Sequence, residues 1–411
     1  MTTAGSAPPT VVAGPRGRAR RLTTAARAAM NTAICLLKVF PMLPSRPLNW
    51  VTSRPVVERF RYPTSHGLTE GDLYRPSTRG PHPGLVVCLG VVPFGVDHPQ
   101  VPRLGEALAR SGFAALLYWS PAMRDFRLDP VDVADIASAY NALLARPDID
   151  PARSGLLGTC VGGAFALMAA ASPRIRERVG HVLAYAPFAS MWTLARDIAS
   201  ASCSRDGARE PWSVDPLTRK VYVHSVTALL DANEAWRLRA DFADRHATWS
   251  ETGLSEAGRA VLPLLTPLDA QQADAALGRL PAVLQERLTA LSPTRYAKDI
   301  RAPLIVLLHD RDDPVIPVSE SRRLRDVLAE RGRVRYTEFT VFRHMDPSKG
   351  HPAPTALAGE LIRFARALYP IFLRVAENAP RDAERPPVRR THQLVDCLPM
   401  PSIPNAPSRG R

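Results

Sequence analysis

The stretch Ser154 to Ala170, SGLLGTCVGGAFALMAA, constrains this chain more than any other. Leu156-Leu157 reads as a short buried strand, and the residues after Gly163 are good helix formers. Between them Gly158, Gly162 and Gly163 mark a tight turn with Cys160 at its tip. Strand, turn and helix in immediate succession is the unit from which layered α/β sheets are built. The turn also poses a chemical question. Cys160 is either a nucleophile or a small apolar residue in a turn without chemistry.

The pattern on either side extends the same architecture. VVERFRYP (56–63) and LTEGDLYRP (68–76) alternate like the two strands of an antiparallel hairpin, with His66-Gly67 at the turn. GLVVCLG (84–90), FAALLYW (113–119), HVLAYAP (181–187), PLIVLLHD (303–310) and VRYTEFTVF (334–342) read as further strands. Amphipathic or helix-forming segments separate them: 102–112, 129–147, 319–332 and 355–369. Buried strands alternating with helices predict a doubly wound, mostly parallel α/β sheet, with the hairpin as an antiparallel edge. The core is expected over 55–188 and 294–372. Residues 189–293 break the rhythm. They hold Trp192, Trp212, Trp236 and Trp249, several helical stretches and no apolar strand, which predicts an inserted helical cap whose tryptophans serve packing, with one or two of them open to line an apolar acyl pocket.

The net charge of +14 invites a nucleic-acid reading until it is located. Residues 1–61 carry +9 of it, the other 350 residues only +5, and no nucleic-acid-binding motif accompanies the charge. A disordered basic tail over 1–20 and a Pro-rich disordered tail over 377–411 are expected. Residues 21–45 hold an amphipathic helix ending before Pro41, with Arg27, Asn31 and Lys38 on one face. Ala26, Ala29, Ala33, Leu36, Leu37 and Phe40 lie opposite. Two readings of it stay open: peripheral contact with a membrane through 21–40, or packing on the body. Five cysteines (35, 88, 160, 203, 397) without C-x-x-C spacing argue against a disulfide framework and a structural zinc site. They fit a reducing, cytoplasmic setting. Cys88 reads as core; Cys35, Cys203 and Cys397 have no evident partners.

G-x-C-x-G at 158–162 sits in the context a nucleophile elbow demands, between strand and helix. The geometry points the side chain out of the sheet and leaves the amide of Val161 free to donate to an oxyanion. A nucleophile needs a base and an orienting acid. The loop Asp310 to Pro317 follows a late strand and offers Asp310, Asp312 and Asp313, of which Asp313 is taken as the acid. His344 follows the last strand, with His351 as the fallback base. His309 reads as structural. The order Cys160, Asp313, His344 is nucleophile, acid, base.

On these residues the chain resembles α/β-hydrolases, close to the dienelactone hydrolase group, over roughly 55–370. ARPDIDPARSGLLGTCVGG is similar to that group's run into its nucleophilic cysteine. HDRDDPVIP resembles its acid loop, which selects Asp313. VVPFGV (91–96) resembles the segment that helps build its oxyanion hole, which implies the Val91 amide beside that of Val161. Where that group carries a Glu near its cysteine, this chain has Val92. The turn LLGTCVGG is also similar to that of polyhydroxyalkanoate synthases and some thioesterases.

The expectation is therefore a Cys160-His344-Asp313 hydrolase of a small-molecule ester, lactone or thioester, working through an acyl-enzyme, without metal or organic cofactor. Two alternatives stay open. One is a thioesterase or acyltransferase on CoA- or carrier-bound acyl groups. The other is a non-catalytic binding protein of the same fold at a membrane surface.

Overall fold

The computed structural model describes residues 15–379, apart from 41–42, 44, 93–94, 96–97, 244–249, 331–333, 343 and 345–352. The strands are β1 (Val56–Thr64), β2 (Gly67–Arg75), β3 (His82–Cys88), β4 (Ala114–Tyr118), β5 (Ile149–Thr159), β6 (Val182–Tyr185), β7 (Ser202–Arg205), β8 (Ala208–Pro211), β9 (Ile305–Asp310) and β10 (Val334–Phe339). Eight of them form one sheet in the order β1-β2-β4-β3-β5-β6-β9-β10. β3, β4, β5, β6, β9 and β10 pair in parallel, and β1 and β2 add an antiparallel edge. This is the doubly wound, mostly parallel α/β sheet that was expected, with the hairpin as its antiparallel edge. The edge hairpin turns one residue earlier than the pattern suggests, at Ser65-His66, because Gly67 already pairs with Thr64.

Period-two alternation divides the sheet's side chains between two cores. Val86, Cys88, Leu116, Leu156 and Leu307 face the helices Val131–Leu144 and Val161–Ala170. Leu85, Val87, Leu117, Leu157 and Leu308 face the helices Pro15–Val39, Gln100–Arg110 and Pro354–Glu377. Cys35 and Cys88 are thus core residues of opposite faces, and Cys203 is buried as well.

The first helix corrects three expectations. It begins at Pro15, so residues 15–20 are helical; residues 1–14, like 380–411, lie outside the described residues. Its buried side holds Ala28, Thr32, Ile34, Cys35, Leu36 and Phe40, while Ala26, Ala29 and Ala33 are exposed. Lys38, expected on the polar face, is buried and bonded to Asn49 Oδ1. The reason is geometric. This helix packs against both Gln100–Arg110 and Pro354–Glu377, and a single-face wheel does not describe a helix held between two neighbours. Phe40 stacks on Phe342 at 5.1 Å and meets Phe364 edge-on at 5.7 Å. The last described helix runs through Pro370 to Glu377, past the expected end at 369, with Phe364, Leu368, Ile371, Phe372 and Val375 anchored in the core. No described helix is long and apolar enough to cross a membrane.

Between β6 and β9 the chain is mainly helical: 191–199, 216–226, 232–243, 256–261, 270–278 and 282–290. It also contains the β7–β8 hairpin, where no strand was expected. Its strands are polar, so a search for apolar runs passes over them. Its turn, Asp206-Gly207 with φ of 48° and 92°, carried a readable signal, since Asp-Gly is a preferred two-residue hairpin turn. Trp212 is buried and Trp192 half-buried, but Trp236 is 72% exposed, against the expectation of packing; Trp249 lies outside the described residues.

Docking of the first helix should show in stability. Phe40→Ala is expected to lower the unfolding free energy by about 3–5 kcal/mol, while Ala29→Ser on the exposed side changes it by less than about 0.5 kcal/mol. Urea unfolding followed by circular dichroism measures both. Equal effects would mean that the helix is not docked as described.

Candidate active site

Cys160 stands between β5 and the helix Val161–Ala170 with φ 57° and ψ −137°, a backbone conformation that an L-residue enters at a cost. It is pinned from both sides. Its N–H donates to the Tyr185 carbonyl at 2.8 Å, and its carbonyl accepts from the Gly163 amide at 2.9 Å. The glycines make room for this. A Cβ on Gly158 would lie 2.2 Å from the Gly162 carbonyl oxygen, and one on Gly162 would lie 2.2 Å from that of Cys88. Strand, helix and the end of β3 therefore meet backbone against backbone, and Cys160 projects from the junction. Val161, the first helical residue, has no intrahelical acceptor for its N–H. Val91 follows the end of β3 and lines the same cavity as Cys160 and Val161. Val92 packs with the opposite core, among the partners of the first and last helices. Of the segment 91–96, residues 93, 94 and 96 lie outside the described residues.

Asp313 and His344 converge on Cys160 from the loops after β9 and β10. The His344 ring places Nδ1 at 2.6 Å from Asp313 Oδ2, and Cys160 lies close enough to act on the ring electrostatically. With Nδ1 engaged by the carboxylate, Nε2 is the nitrogen left for sulfur. Asp313 is buried, and its other oxygen accepts the amides of Val315 (2.7 Å) and Ile316 (3.0 Å). Burial would push its carboxyl upward. The His344 charge and hydrogen bond, His309 and the Ile316 amide outweigh burial and hold it below the ordinary carboxylate range. For His344 burial works against the imidazolium. Asp313 first, and Cys160 second, outweigh it and hold the ring well above the ordinary histidine range.

Neighbouring residues fix this geometry. Asp310 is buried; its oxygens accept the amides of Phe342 (3.0 Å) and His344 (3.3 Å) and the Tyr185 hydroxyl. It therefore holds the backbone of the loop that presents His344, whose φ is 62°. His309 is fully buried, with Nε2 at 2.8 Å from the Ile316 carbonyl and Nδ1 at 2.6 Å from Ser321 Oγ; burial pushes its ring below the ordinary histidine range. It braces the acid loop, in keeping with a structural role. Asp312 is exposed and pairs with Arg205 of the β7–β8 hairpin. His351 lies outside the described residues. Sequence reasoning passed over Tyr185, Trp212 and Thr218. Trp212 Nε1 donates to the Asp313 carbonyl at 3.3 Å, and Thr218 Oγ1 to that of Val315 at 3.0 Å. A strand tyrosine or a helix threonine carries no local signal of such a partner.

A small, partly open apolar cavity lies at Cys160. Val91 and Val161 border the sulfur side. The helices 191–199 and 216–226 supply Met191, Leu194, Ile198, Leu217 and Val221. Among the described residues, no charged side chain lines it. Among the described residues no group of three or more His, Cys, Asp or Glu could hold a metal ion.

No protein-family model matches the chain, and no curated protein matches it. Among solved structures it is similar to the acylaminoacyl peptidase of Pyrococcus horikoshii, with TM-score 0.49 and 15% identity over 82% of this chain and 44% of that one. It is similar to puromycin hydrolase, with TM-score 0.47 and 18% identity over 78% of this chain and 39% of that one. A Klebsiella pneumoniae protein assigned as a dienelactone hydrolase is similar at TM-score 0.40 and 15% identity, over 76% of this chain and all 100% of that one. The chain spans less than half the length of the first two.

The pair Asp313–His344 has a definite pH signature. One partner is held below and the other above its ordinary range. Its contribution to stability is therefore full between about pH 4 and pH 6.5. It is lost in acid as Asp313 protonates, and in base as pH rises through the raised His344 value. In an NMR titration, Asp313→Asn should lower the His344 midpoint, and Cys160→Ala should lower it less. An unchanged midpoint in Asp313→Asn would show that the 2.6 Å contact carries no charge coupling.

Proposed function

We propose that this protein is a hydrolase of carboxylic esters, lactones or thioesters with Cys160 as nucleophile, His344 as base and Asp313 as orienting acid. The observation that carries the reading is one chain of contacts. A buried carboxylate lies 2.6 Å from His344 Nδ1, and the same ring feels the charge of Cys160, which is held in a strained turn at a helix N-terminus. That arrangement has the parts of an activated nucleophile.

His344 takes the proton of the Cys160 thiol, and the thiolate attacks the substrate carbonyl. The amides of Val161 and Val91 hold the oxyanion. The tetrahedral adduct collapses, and the leaving group departs with the proton from His344, giving a thioester on Cys160. A water molecule, deprotonated by His344, then attacks the thioester. The acid is released and the thiol restored. Asp313 holds the imidazole in the tautomer this requires, and the chain's own residues supply every proton transfer.

The apolar cavity supports an uncharged acyl group as substrate, with residues 189–293 acting as its cap. The insertion is tied to the catalytic loops by Trp212, by Thr218 and by the Asp215 amide, which donates to the Pro314 carbonyl at 3.0 Å. An acyl thioester would seat its acyl part in the same way as an ester, so a panel of acyl-CoA, p-nitrophenyl esters and lactones separates the substrate classes.

Cys160→Ala should lower kcat/KM for p-nitrophenyl butyrate at least about a thousandfold, with an unchanged circular dichroism spectrum. Undiminished turnover would overturn the proposal. Ile198→Trp, which narrows the cavity, should shift preference from octanoate to acetate esters by about tenfold. An unaltered chain-length profile would remove the cavity from the substrate's path.

A further inference from the structure

The helix Pro15–Val39 buries one side against the helices 100–110 and 354–377 and leaves the other to solvent. The solvent side is not polar. Leu22, Ala26, Ala29, Met30 and Ala33 are all exposed. At 3.6 residues per turn they share one sector of about 100°. Arg20 and Arg27 flank that sector on one side and Arg21 on the other, and all three are exposed. The short turn Leu48–Val51 lies against the end of the same helix, because Lys38 Nζ donates to Asn49 Oδ1. In that turn Trp50 is 87% and Val51 77% exposed. Arg46 and Arg54, both exposed, stand before and after it in the chain.

The charge of this region is one-sided. From residue 15 to residue 57 the sequence holds seven arginines, one lysine and no acid. Among the described residues, none of Arg20, Arg21, Arg27, Arg46 and Arg54 has an acidic partner. Aliphatic side chains and an exposed tryptophan, rimmed by unpaired arginines, match the boundary of a bilayer. The apolar groups enter the acyl region, the indole stands at headgroup level, and the guanidinium groups meet lipid phosphates. Firm anchoring takes both apolar area and basic charge, and both are here. Other partners fit less well. A nucleic acid would neutralise the arginines but leave Leu22, Met30, Trp50 and Val51 in water. A second copy of this face would set like charges against each other.

We infer that this face is a docking surface for an anionic lipid bilayer, with the helix 15–39 lying in the plane of the interface. Leu36 and Phe40 are taken up by the protein's own core and are not part of the surface. The docking face is already folded, so binding orders no new segment. The helix covers the opposite face of the sheet from the cavity at Cys160.

Co-sedimentation of the full chain with vesicles tests this. One set is pure phosphatidylcholine; the other contains about 30% phosphatidylserine. The anionic vesicles should bind at least about tenfold more tightly at about 0.1 M salt, and the difference should shrink at about 1 M salt. Trp50→Ser should weaken binding about tenfold, and Arg20→Gln, Arg21→Gln and Arg27→Gln together about a hundredfold. Arg301→Gln, an exposed cation elsewhere, should leave it unchanged. All the substituted side chains are exposed, so circular dichroism should show the fold retained. Four results would each overturn the inference: no binding of the wild type to anionic vesicles, equal binding to both sets, wild-type binding by the folded triple variant, or a wild-type dimer that Trp50→Ser dissociates. None of these readouts depends on the activity of Cys160, so the hydrolase proposal stands or falls separately.

Discussion

Everything at the candidate active site depends on the contact of bare backbone between β5, the end of β3 and the helix Val161–Ala170. Gly158 and Gly162 permit it, because any side chain there would stand about 2.2 Å from a carbonyl oxygen of its neighbour. The approach forces Cys160 into positive φ and presents it at the helix N-terminus. The hydrogen bonds from Cys160 to Tyr185 and from Gly163 to Cys160 hold the strained residue in place. Strain of this kind persists only where the surroundings over-determine it, and here packing and hydrogen bonding both do so.

The second dependence is electrostatic. Asp313 is buried, where a charge is costly unless it is paired. Two backbone amides and His344 supply the pairing, with His309 behind them. The same carboxylate thereby fixes the orientation of His344. Asp310 does related work through the backbone: it holds the amides of Phe342 and His344, while its bond from Tyr185 ties it to β6, next to the strand that leads into Cys160. The loops after β6, β9 and β10 thus form one hydrogen-bonded frame, and the insertion is bonded onto that frame through Trp212, Asp215 and Thr218.

The two faces of the sheet are built differently. Toward Cys160 the insertion closes over an apolar cavity whose lining runs from Val91 to Ile316 in sequence. On the opposite face the first helix is wedged between two others, with its outer side left exposed.

Much of this was legible in the amino-acid sequence. Runs such as Leu85–Cys88 and Ile305–Leu308 are short, β-branched or aliphatic and set between helical segments, so they read as strands buried on both sides of a parallel sheet. The elbow at Gly158–Gly162 is local chemistry and was readable for the same reason. So was the order Cys160, Asp313, His344, since each lies at the end of a recognisable strand. Other features were beyond local reading. The polar β7–β8 hairpin has no apolar pattern, although Asp206-Gly207 marked its turn. The buried side of the first helix depends on two partners that lie far along the chain. Tyr185, Asp310 and Trp212 acquire their roles from residues a hundred or more positions away. Periodicity and turn chemistry report interactions within a few residues, and they determined the elements and their order. Which side chains meet across the sheet, and which side of the first helix faces solvent, is a property of long-range packing and was decided only by the tertiary structure.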